Sequence, residues 1–303
     1  MASMTEPARG GKLGHFRTEE ARHRFEVAYD RALALWPTVP RAIDVATSYG
    51  STRVNACGAA TGTPVVLLHG MMATSTSWGP NVTRLGEHHP LFAVDAICDT
   101  GRSVQRRPVR DRDDLEQWFL EVLDGLELGR THVIGLSYGA WIAINHALRS
   151  PERVVSVTAV EPPGVITRGR VAFSVRFLKA AVTRSDKDFA RIVDMLSGGN
   201  APAEPLVEVL HCGFRDFKPG LPFAKLLKDD ELRSLAPPML LLFGARSPMS
   251  DGARAVERAR TLVPHVEADL LAGTAHTPPL ERPDLFDERV CQFLDRVESA
   301  ADR

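Results

Sequence analysis

Ser137 is the residue of this sequence best placed to act as a nucleophile. It lies in Gly-Leu-Ser-Tyr-Gly at 135–139, between THVIGLS, which predicts a buried strand, and YGAWIAINHALRS, which predicts a helix. The sharp turn that lifts a serine hydroxyl above a sheet needs neighbours without bulk, and a glycine stands two residues away on either side. The position therefore favours a nucleophile over a serine in an ordinary tight turn.

Two further segments could complete the chemistry of acyl transfer. His276, in the sequence GTAHT, follows the last predicted strand, which is a suitable place for a general base. The sequence HGMM (69–72) follows the apolar run VVLL, and the backbone N–H groups of Met71 and Tyr138 could both point at one developing oxyanion. We expect His69 itself to pack within the loop.

The elements that must position these residues form an alternating pattern. Most of the short apolar runs are separated by amphipathic helical stretches, which predicts an α/β fold with a mostly parallel sheet covered by helices on both faces. The runs are 64–70, 90–96, 131–137, 154–161, 238–244 and 266–273. Before them, helical spacing from Thr18 to Trp36 predicts a helix, and alternation over 43–57 predicts a hairpin.

The domain organisation follows from where this pattern is interrupted. Residues 1–15 are polar and are expected to be a mobile tail. The core is expected to comprise 16–161 and 234–303, with a helical cap inserted at 162–233, where no strand is evident. The cap carries aromatic side chains that could line an apolar pocket: Phe173, Phe177, Phe189, Phe214, Phe217 and Phe223.

Composition limits the possible partners and location. The 303 residues are 44% hydrophobic and 25% charged, which is typical of soluble globular proteins. Thirty-seven Lys and Arg against 38 Asp and Glu give a net charge of −1, so we expect no nucleic-acid and no membrane partner. The four cysteines lack zinc-binding spacing, and the first twenty residues lack an apolar signal-peptide core. These features predict a cytoplasmic protein without a metal.

Several ordered blocks resemble the α/β-hydrolase superfamily, and more narrowly its carboxylesterase branch, which includes naproxen-esterase-like enzymes. The blocks run from about Phe16 to Phe293 and are ALALWP, YGSTRV, LLHGMMATSTSWGPNV, FAVDAICDTGRSV, GLSYGAWIAINHALRSPERV, DDELRSLAPPMLLLFG and AGTAHTPPLERPD. The resemblance implies that Ser137 is the nucleophile and His276 the base, with Met71 and Tyr138 as the oxyanion-hole donors.

The chain departs from these relatives at the third member of the triad. Most of them carry Asp or Glu three residues after the glycine that ends the penultimate strand, where this chain has Ser247. A serine could accept a hydrogen bond from the imidazole but cannot supply the negative charge. Asp251 is one candidate acid, although it also stands where a helix N-cap belongs. Glu161, at the end of an earlier strand, is the candidate we favour, because some α/β-hydrolases carry the acid there. A site without any triad acid is the remaining alternative.

Three other family-pattern residues are expected to have structural roles. Asp95, Asp99 and Arg102, in the sequence VDAICDTGRS, are expected to hold turns and pack loops.

The sequence predicts a serine hydrolase, specifically a carboxylesterase that cleaves a small or medium-sized apolar ester without a cofactor. One alternative is an acyltransferase, cyclase or isomerase of specialised metabolism on the same fold, since fold alone does not fix chemistry. Another is a catalytically silent ligand-binding homologue. Ser137 at the elbow argues strongly against a dehalogenase or epoxide hydrolase with an aspartate nucleophile.

Overall fold

The computed structural model describes residues 11–222 and 224–301. The strands of this part are, in chain order, β1 (His15–Phe16), β2 (Arg41–Thr47), β3 (Gly50–Gly58), β4 (Val65–Leu68), β5 (Pro90–Val94), β6 (Val104–Gln105), β7 (Thr131–Leu136), β8 (Val154–Val160), β9 (Phe217–Lys218), β10 (Met239–Gly244) and β11 (Val266–Leu271).

The α-helices of the same part are α1 (Glu19–Leu33), α2 (Val82–Leu85), α3 (Arg112–Gly125), α4 (Tyr138–Arg149), α5 (Val171–Thr183), α6 (Asp186–Leu196), α7 (Glu204–Asp216), α8 (Asp229–Arg233), α9 (Gly252–Leu262), α10 (Pro278–Glu281) and α11 (Pro283–Ala301).

One large sheet, in the order β11-β10-β8-β7-β4-β5-β3-β2, organises the molecule. Its first six strands are parallel, whereas β3 lies antiparallel to β5 and β2 antiparallel to β3. All six predicted apolar runs form strands of this sheet, and the predicted hairpin is β2 with β3. The mostly parallel sheet is thus confirmed.

The apolar runs are buried because both faces of the sheet carry a core. In β4, Val66 and Leu68 belong to one core while Val65 and Leu67 belong to the other. Successive side chains of a strand point to opposite faces, so an uninterrupted apolar run supplies both cores at once. Helices α3, α4 and α9 pack against the first core and α11 against the second, which confirms helices on both faces.

The segment between β8 and β10 contains α5, α6, α7 and α8, in the interval where the sequence predicts a helical cap. It also contains β9, a two-residue strand that the sequence pattern did not reveal. Phe217 in β9 pairs with Phe16 in β1. Two residues are too short to give a period-two signal, so only the pairing makes this strand visible.

The N-terminal helix α1 packs against α7. Phe25 and Tyr29 of α1 share a core with Leu206 and Val209 of α7. This contact buries the apolar face of the helix that the sequence predicted from Thr18 to Trp36. The prediction of a mobile tail over 1–15 is wrong at its C-terminal end, since His15 is paired in β1. Residues 1–10 of that predicted tail lie outside the described residues.

Candidate active site

The turn between β7 and α4 has the strained geometry expected of a nucleophile elbow. Ser137 has φ 54° and ψ −111°, a region that costs a non-glycine residue about 1–3 kcal/mol. A Cβ on Gly139 would lie 2.2 Å from the carbonyl oxygen of Leu68, and one on Gly135 would lie 2.3 Å from the carbonyl oxygen of Gly139. Both glycines are therefore required by close approaches of the backbone.

His276 faces Glu161 across the edge of the sheet. The imidazole Nδ1 lies 3.1 Å from Oε2 of Glu161, although the two residues are 115 positions apart. Both side chains are buried. Glu161 directly follows β8 and has φ 49°, a second strained backbone position. Since the carboxylate accepts the proton of Nδ1, Nε2 of the neutral ring is left free to act as a base.

Two hydroxyl groups and one backbone N–H hold the carboxylate of Glu161. The hydroxyls of Ser247 and Ser250 donate to Oε2 at 2.7 and 2.8 Å, and the N–H of Gly244 donates to Oε1 at 2.7 Å. Ser247 therefore binds the carboxylate of Glu161 and does not take the place of the acid beside the imidazole. The position that carries the acid in most relatives here helps to hold an acid that comes from another strand.

Asp251 caps a helix, which is the structural role that its position in the sequence suggested as the alternative to a triad acid. Its Oδ1 accepts the N–H of Arg254 at 3.2 Å and so caps the N-terminus of α9. An N-cap side chain satisfies one of the free N–H groups of the first helical turn. Of the two candidate acids, Glu161 is thus the one that contacts His276.

The predicted oxyanion loop runs directly beside Ser137. A Cβ on Gly70 would lie 3.4 Å from the Cβ of Ser137. Within this turn, the N–H of Ala73 donates to the carbonyl of Gly70, and the N–H of Met72 donates to Asp99. Met71, between them, lines the same cavity as Ser137. Tyr138 is the first residue of α4, where backbone N–H groups have no partner within the helix.

Buried polar residues behind this loop hold its shape, as the sequence predicted. Nε2 of His69 accepts the N–H of Ala96 at 3.0 Å. The carboxylate of Asp95 accepts the N–H groups of Ser75 and Arg102, both at 2.8 Å. Burial raises the pKa of Asp99 to about 6, while its hydrogen bonds to backbone N–H groups oppose that rise. These residues therefore support the loop from behind.

Glu281 supports the loop of His276, and sequence reasoning missed it. Its Oε2 accepts the N–H of Ala275 at 2.7 Å, and its Oε1 accepts the N–H of Thr277 at 2.8 Å. One buried carboxylate thus binds the residues on both sides of His276. Pro278, which opens α10, has no N–H of its own to offer. No capping-box spacing marked it in the sequence, because Glu281 lies four residues after Thr277 and not three.

Ser137 and His276 line one cavity of about 350 Å³ with mostly apolar walls. Among the predicted aromatic residues, Phe173 and Phe177 line it, whereas Phe189 and Phe214 pack in a core between the helices and Phe217 packs on Phe16. Phe223 lies outside the described residues. Further apolar lining comes from Leu196, Leu206, Val209, Leu210, Met249 and Leu280.

Comparison with known proteins agrees with this geometry. Residues 65–289 match the family model described as the alpha/beta hydrolase family. The chain is 31% identical over 290 residues to carboxylesterase YbfK of Bacillus subtilis, an alignment covering 92% of this chain and 96% of that protein. It is 32% identical over 283 residues to a protein named uncharacterized carboxylesterase nap of the same organism, covering 90% and 92%.

A solved structure is similar over the same extent. The crystal structure of naproxen esterase (carboxylesterase NP) from Bacillus subtilis superposes with a TM-score of 0.87 at 29% identity, covering 92% of this chain and 99% of that one. The chain therefore belongs to the alpha/beta hydrolase family. Within that family it is a serine hydrolase of the carboxylesterase branch.

The described residues contain neither a membrane-spanning helix nor a cluster of metal ligands. None of their helices is long and apolar enough to cross a membrane. No cluster of three or more His, Cys, Asp or Glu side chains within them could hold a metal ion.

Proposed function

We propose that this carboxylesterase cleaves a small or medium-sized apolar ester through an acyl-enzyme on Ser137, with His276 as the base and Glu161 as the triad acid. The observation that carries the proposal is the contact between His276 and the buried carboxylate of Glu161, beside a strained serine that lines the same cavity as the imidazole.

Each group has one task in the reaction. His276 takes the hydroxyl proton of Ser137 as the oxygen attacks the ester carbonyl, and the N–H groups of Met71 and Tyr138 stabilise the oxyanion. The imidazolium then gives its proton to the departing alcohol. Water attacks the acyl-enzyme with His276 again acting as base, which releases the acid and restores the serine. Glu161 stabilises the imidazolium and fixes its tautomer throughout.

The walls of the cavity support an apolar substrate. A volume of about 350 Å³ lies at the lower end of the range for small-molecule sites. Phe173, Phe177, Leu206 and Val209 come from the segment after β8, so this segment shapes the space for the acyl or alcohol group. We propose that 162–233 acts as a cap on a core formed by 16–161 and 234–303.

We propose a cytoplasmic location because of the state of the cysteines. All four, Cys57, Cys98, Cys212 and Cys291, are free thiols. Unpaired cysteines are typical of reducing compartments.

The test combines turnover of p-nitrophenyl esters of graded chain length with labelling by a serine-directed phosphonate. We expect Ser137→Ala to lower turnover by about four orders of magnitude or more and to abolish labelling, as loss of a triad nucleophile does. Ser77→Ala, at another serine lining the cavity, is the matched control and should keep the labelling. Turnover in Ser137→Ala at the wild-type rate would refute the assignment of Ser137 as the nucleophile. Labelling of the wild type without turnover would indicate a silent homologue.

A further inference from the structure

Helix α5 exposes a continuous apolar stripe. Val171, Val175, Leu178 and Val182 are 76%, 61%, 65% and 74% exposed. At 100° per residue these four positions fall within a sector of about 60°. Among the described residues, they are four of the twelve large hydrophobic side chains that are exposed. Single exposed apolar residues are ordinary on a protein surface, but a row along one helix face marks an interaction site.

The stripe lies on the side of α5 opposite to its buried face. Phe173 and Ala180 point inward, about 180° away from the stripe. On one flank of the stripe, Ser174 lines the active-site cavity. A surface that covers the stripe would therefore lie against the outer wall of the substrate pocket.

The charged residues of α5 and of the segments at its two ends are all basic. Residues 168–184 contain five basic side chains and no acidic one, within a chain whose net charge is −1. These exposed residues are Arg168, Arg170, Arg176, Lys179 and Arg184. In the described part of the chain, none of them lies within ion-pair distance of a carboxylate. The sequence-wide balance of charge, from which we expected no membrane partner, thus conceals a local excess of cations.

A cleft adjoins the basic flank of α5. It is lined by Arg176 and Lys179 of α5 and by Arg191 of α6. Asp188 and Asp194 also line it, and Asp188 already accepts hydrogen bonds from Arg191 and from the hydroxyl of Thr183. Arg191 is thus paired with Asp188, which leaves Arg176 and Lys179 to bind phosphate oxygens next to the apolar stripe.

We propose that α5 is a docking surface for an anionic phospholipid bilayer, lying in the interface with its valine and leucine stripe among the acyl chains and its basic residues on the phosphates. A helix with one apolar face and flanking arginine and lysine binds the surface of anionic membranes. A second copy of this chain is the less favourable occupant, because two α5 helices would bring ten like charges together. Docking places the substrate pocket beside a lipid phase, where apolar esters accumulate.

Cosedimentation with lipid vesicles tests the proposal on the full chain. We expect the protein to bind vesicles of phosphatidylglycerol and phosphatidylcholine in equal parts, to bind phosphatidylcholine alone weakly, and to be released by high salt. Arg176→Gln with Lys179→Gln should weaken binding roughly thirtyfold, since each basic residue near an anionic surface contributes about 1 kcal/mol. The matched control, Arg41→Gln with Lys218→Gln, removes two exposed cations away from α5.

A second pair of variants tests the apolar stripe separately. Val175→Ser with Leu178→Ser should weaken vesicle binding about tenfold or more, because two side chains no longer enter the bilayer. Val39→Ser with Val104→Ser, which are 95% and 51% exposed elsewhere, should bind like the wild type. All four double variants should hydrolyse a water-soluble ester at the wild-type rate. Ser137→Ala should keep full vesicle binding, which separates this proposal from the catalytic one.

Two results would overturn the proposal. One is equal binding to anionic and neutral vesicles, or binding that the α5 variants do not change. The other is a dimer, measured by light scattering, that Val175→Ser with Leu178→Ser converts to monomers while lipid binding is absent in the wild type. That result would assign the stripe to a second copy of the chain.

Discussion

At the residue scale, the site depends on how Glu161 is held in place. Its Oε2 faces His276 and also accepts hydrogen bonds from Ser247 and Ser250. Together with the N–H of Gly244, these donors fix the carboxylate where it faces the imidazole. The serine at the position where most relatives carry the acid thus helps to hold an acid that follows β8.

Replacing each candidate acid by its amide, in separate variants, distinguishes the roles of Glu161 and Asp251. We expect Glu161→Gln to lower kcat by about four orders of magnitude, as loss of the triad carboxylate does, with the fold retained. Asp251→Asn should keep activity and cost about 1 kcal/mol or less in the free energy of unfolding, because asparagine also caps helices. Steady-state kinetics and chemical denaturation measure the two effects. The reverse pattern would move the acid to Asp251, and near-normal rates in both variants would mean that His276 works without a carboxylate.

Glu281 is expected to act on catalysis through the position of His276. In Glu281→Gln, one carboxylate oxygen becomes an NH₂ group that faces the N–H of Ala275 or of Thr277, so two donors meet. We expect kcat to fall on the order of tenfold to a hundredfold while KM changes little, since displacing a catalytic group by about 1 Å has effects of this size. The control is Glu288→Gln, an exposed glutamate of α11. Equal losses in both variants, or a change in KM alone, would contradict a positioning role.

At the element scale, the elbow between β7 and α4 depends on close backbone packing. Helix α4 begins at Tyr138, and its first turn lies against the end of β4, which Gly139 approaches. The strain at Ser137 is maintained only because the strand before it and the helix after it are both fixed by the core. Ser137 is therefore positioned by two elements rather than by its own side-chain contacts.

Adding one methyl group at the elbow tests this dependence. A Cβ at position 139 would lie 2.2 Å from a backbone oxygen of β4, so we expect Gly139→Ala to shift the elbow, to lower kcat strongly and to destabilise the fold by about 1–3 kcal/mol. Gly129→Ala is the matched control, because a Cβ there would meet no atom within 4 Å. Activity and thermal unfolding of both variants give the answer. An active, stable Gly139→Ala enzyme would show that the elbow adapts.

In the molecule as a whole, the C-terminal helix α11 connects the second core of the sheet to the loop that carries His276. Asp287 of α11 accepts a hydrogen bond from the amide of Asn81 at 2.8 Å, and the same amide donates to the carbonyl of Pro279 at 3.1 Å. Pro279 lies in α10, directly after the loop that carries His276. The amide of Asn81 thus joins α11 and α10 to the start of α2.

The charge of Asp287 should make stability depend on pH. Burial raises the pKa of this carboxyl from 3.8 to about 7, while the hydrogen bond from Asn81 opposes the rise. Between these two values the folded state binds the proton more tightly than the unfolded state, so the free energy of unfolding falls as pH rises from about 4 to about 7. Asp287→Asn removes this group and should flatten that part of the curve.

Chemical denaturation of the wild type and of Asp287→Asn across this pH range is the measurement. Asp295→Asn, at an exposed position of the same helix, serves as the control. Parallel curves for the wild type and Asp287→Asn would show that the carboxyl is not held in its protonated form by burial.

The sequence alone determined the features that depend on neighbours along the chain. The apolar runs predicted the six parallel strands of the large sheet, alternation predicted the hairpin, and the glycines around Ser137 predicted a turn that only small residues permit. The position of His276 after the last strand was also readable, because the carboxyl ends of parallel strands meet at one edge of a sheet. The family blocks extended the same local information over nearly the whole chain.

Which distant groups meet depends on how the chain folds in three dimensions. Glu161 and Asp251 were both reasonable acids by sequence, and the choice depends on a contact across 115 residues that no local pattern encodes. The partner of α1, the β1–β9 pairing and the grip of Glu281 on the His276 loop are contacts of the same kind. The local excess of basic residues around α5 is also invisible in the net charge of −1, because a net charge carries no information about where the charges lie. Side-chain types and short spacings are properties of the chain, whereas burial and charge distribution are properties of the fold.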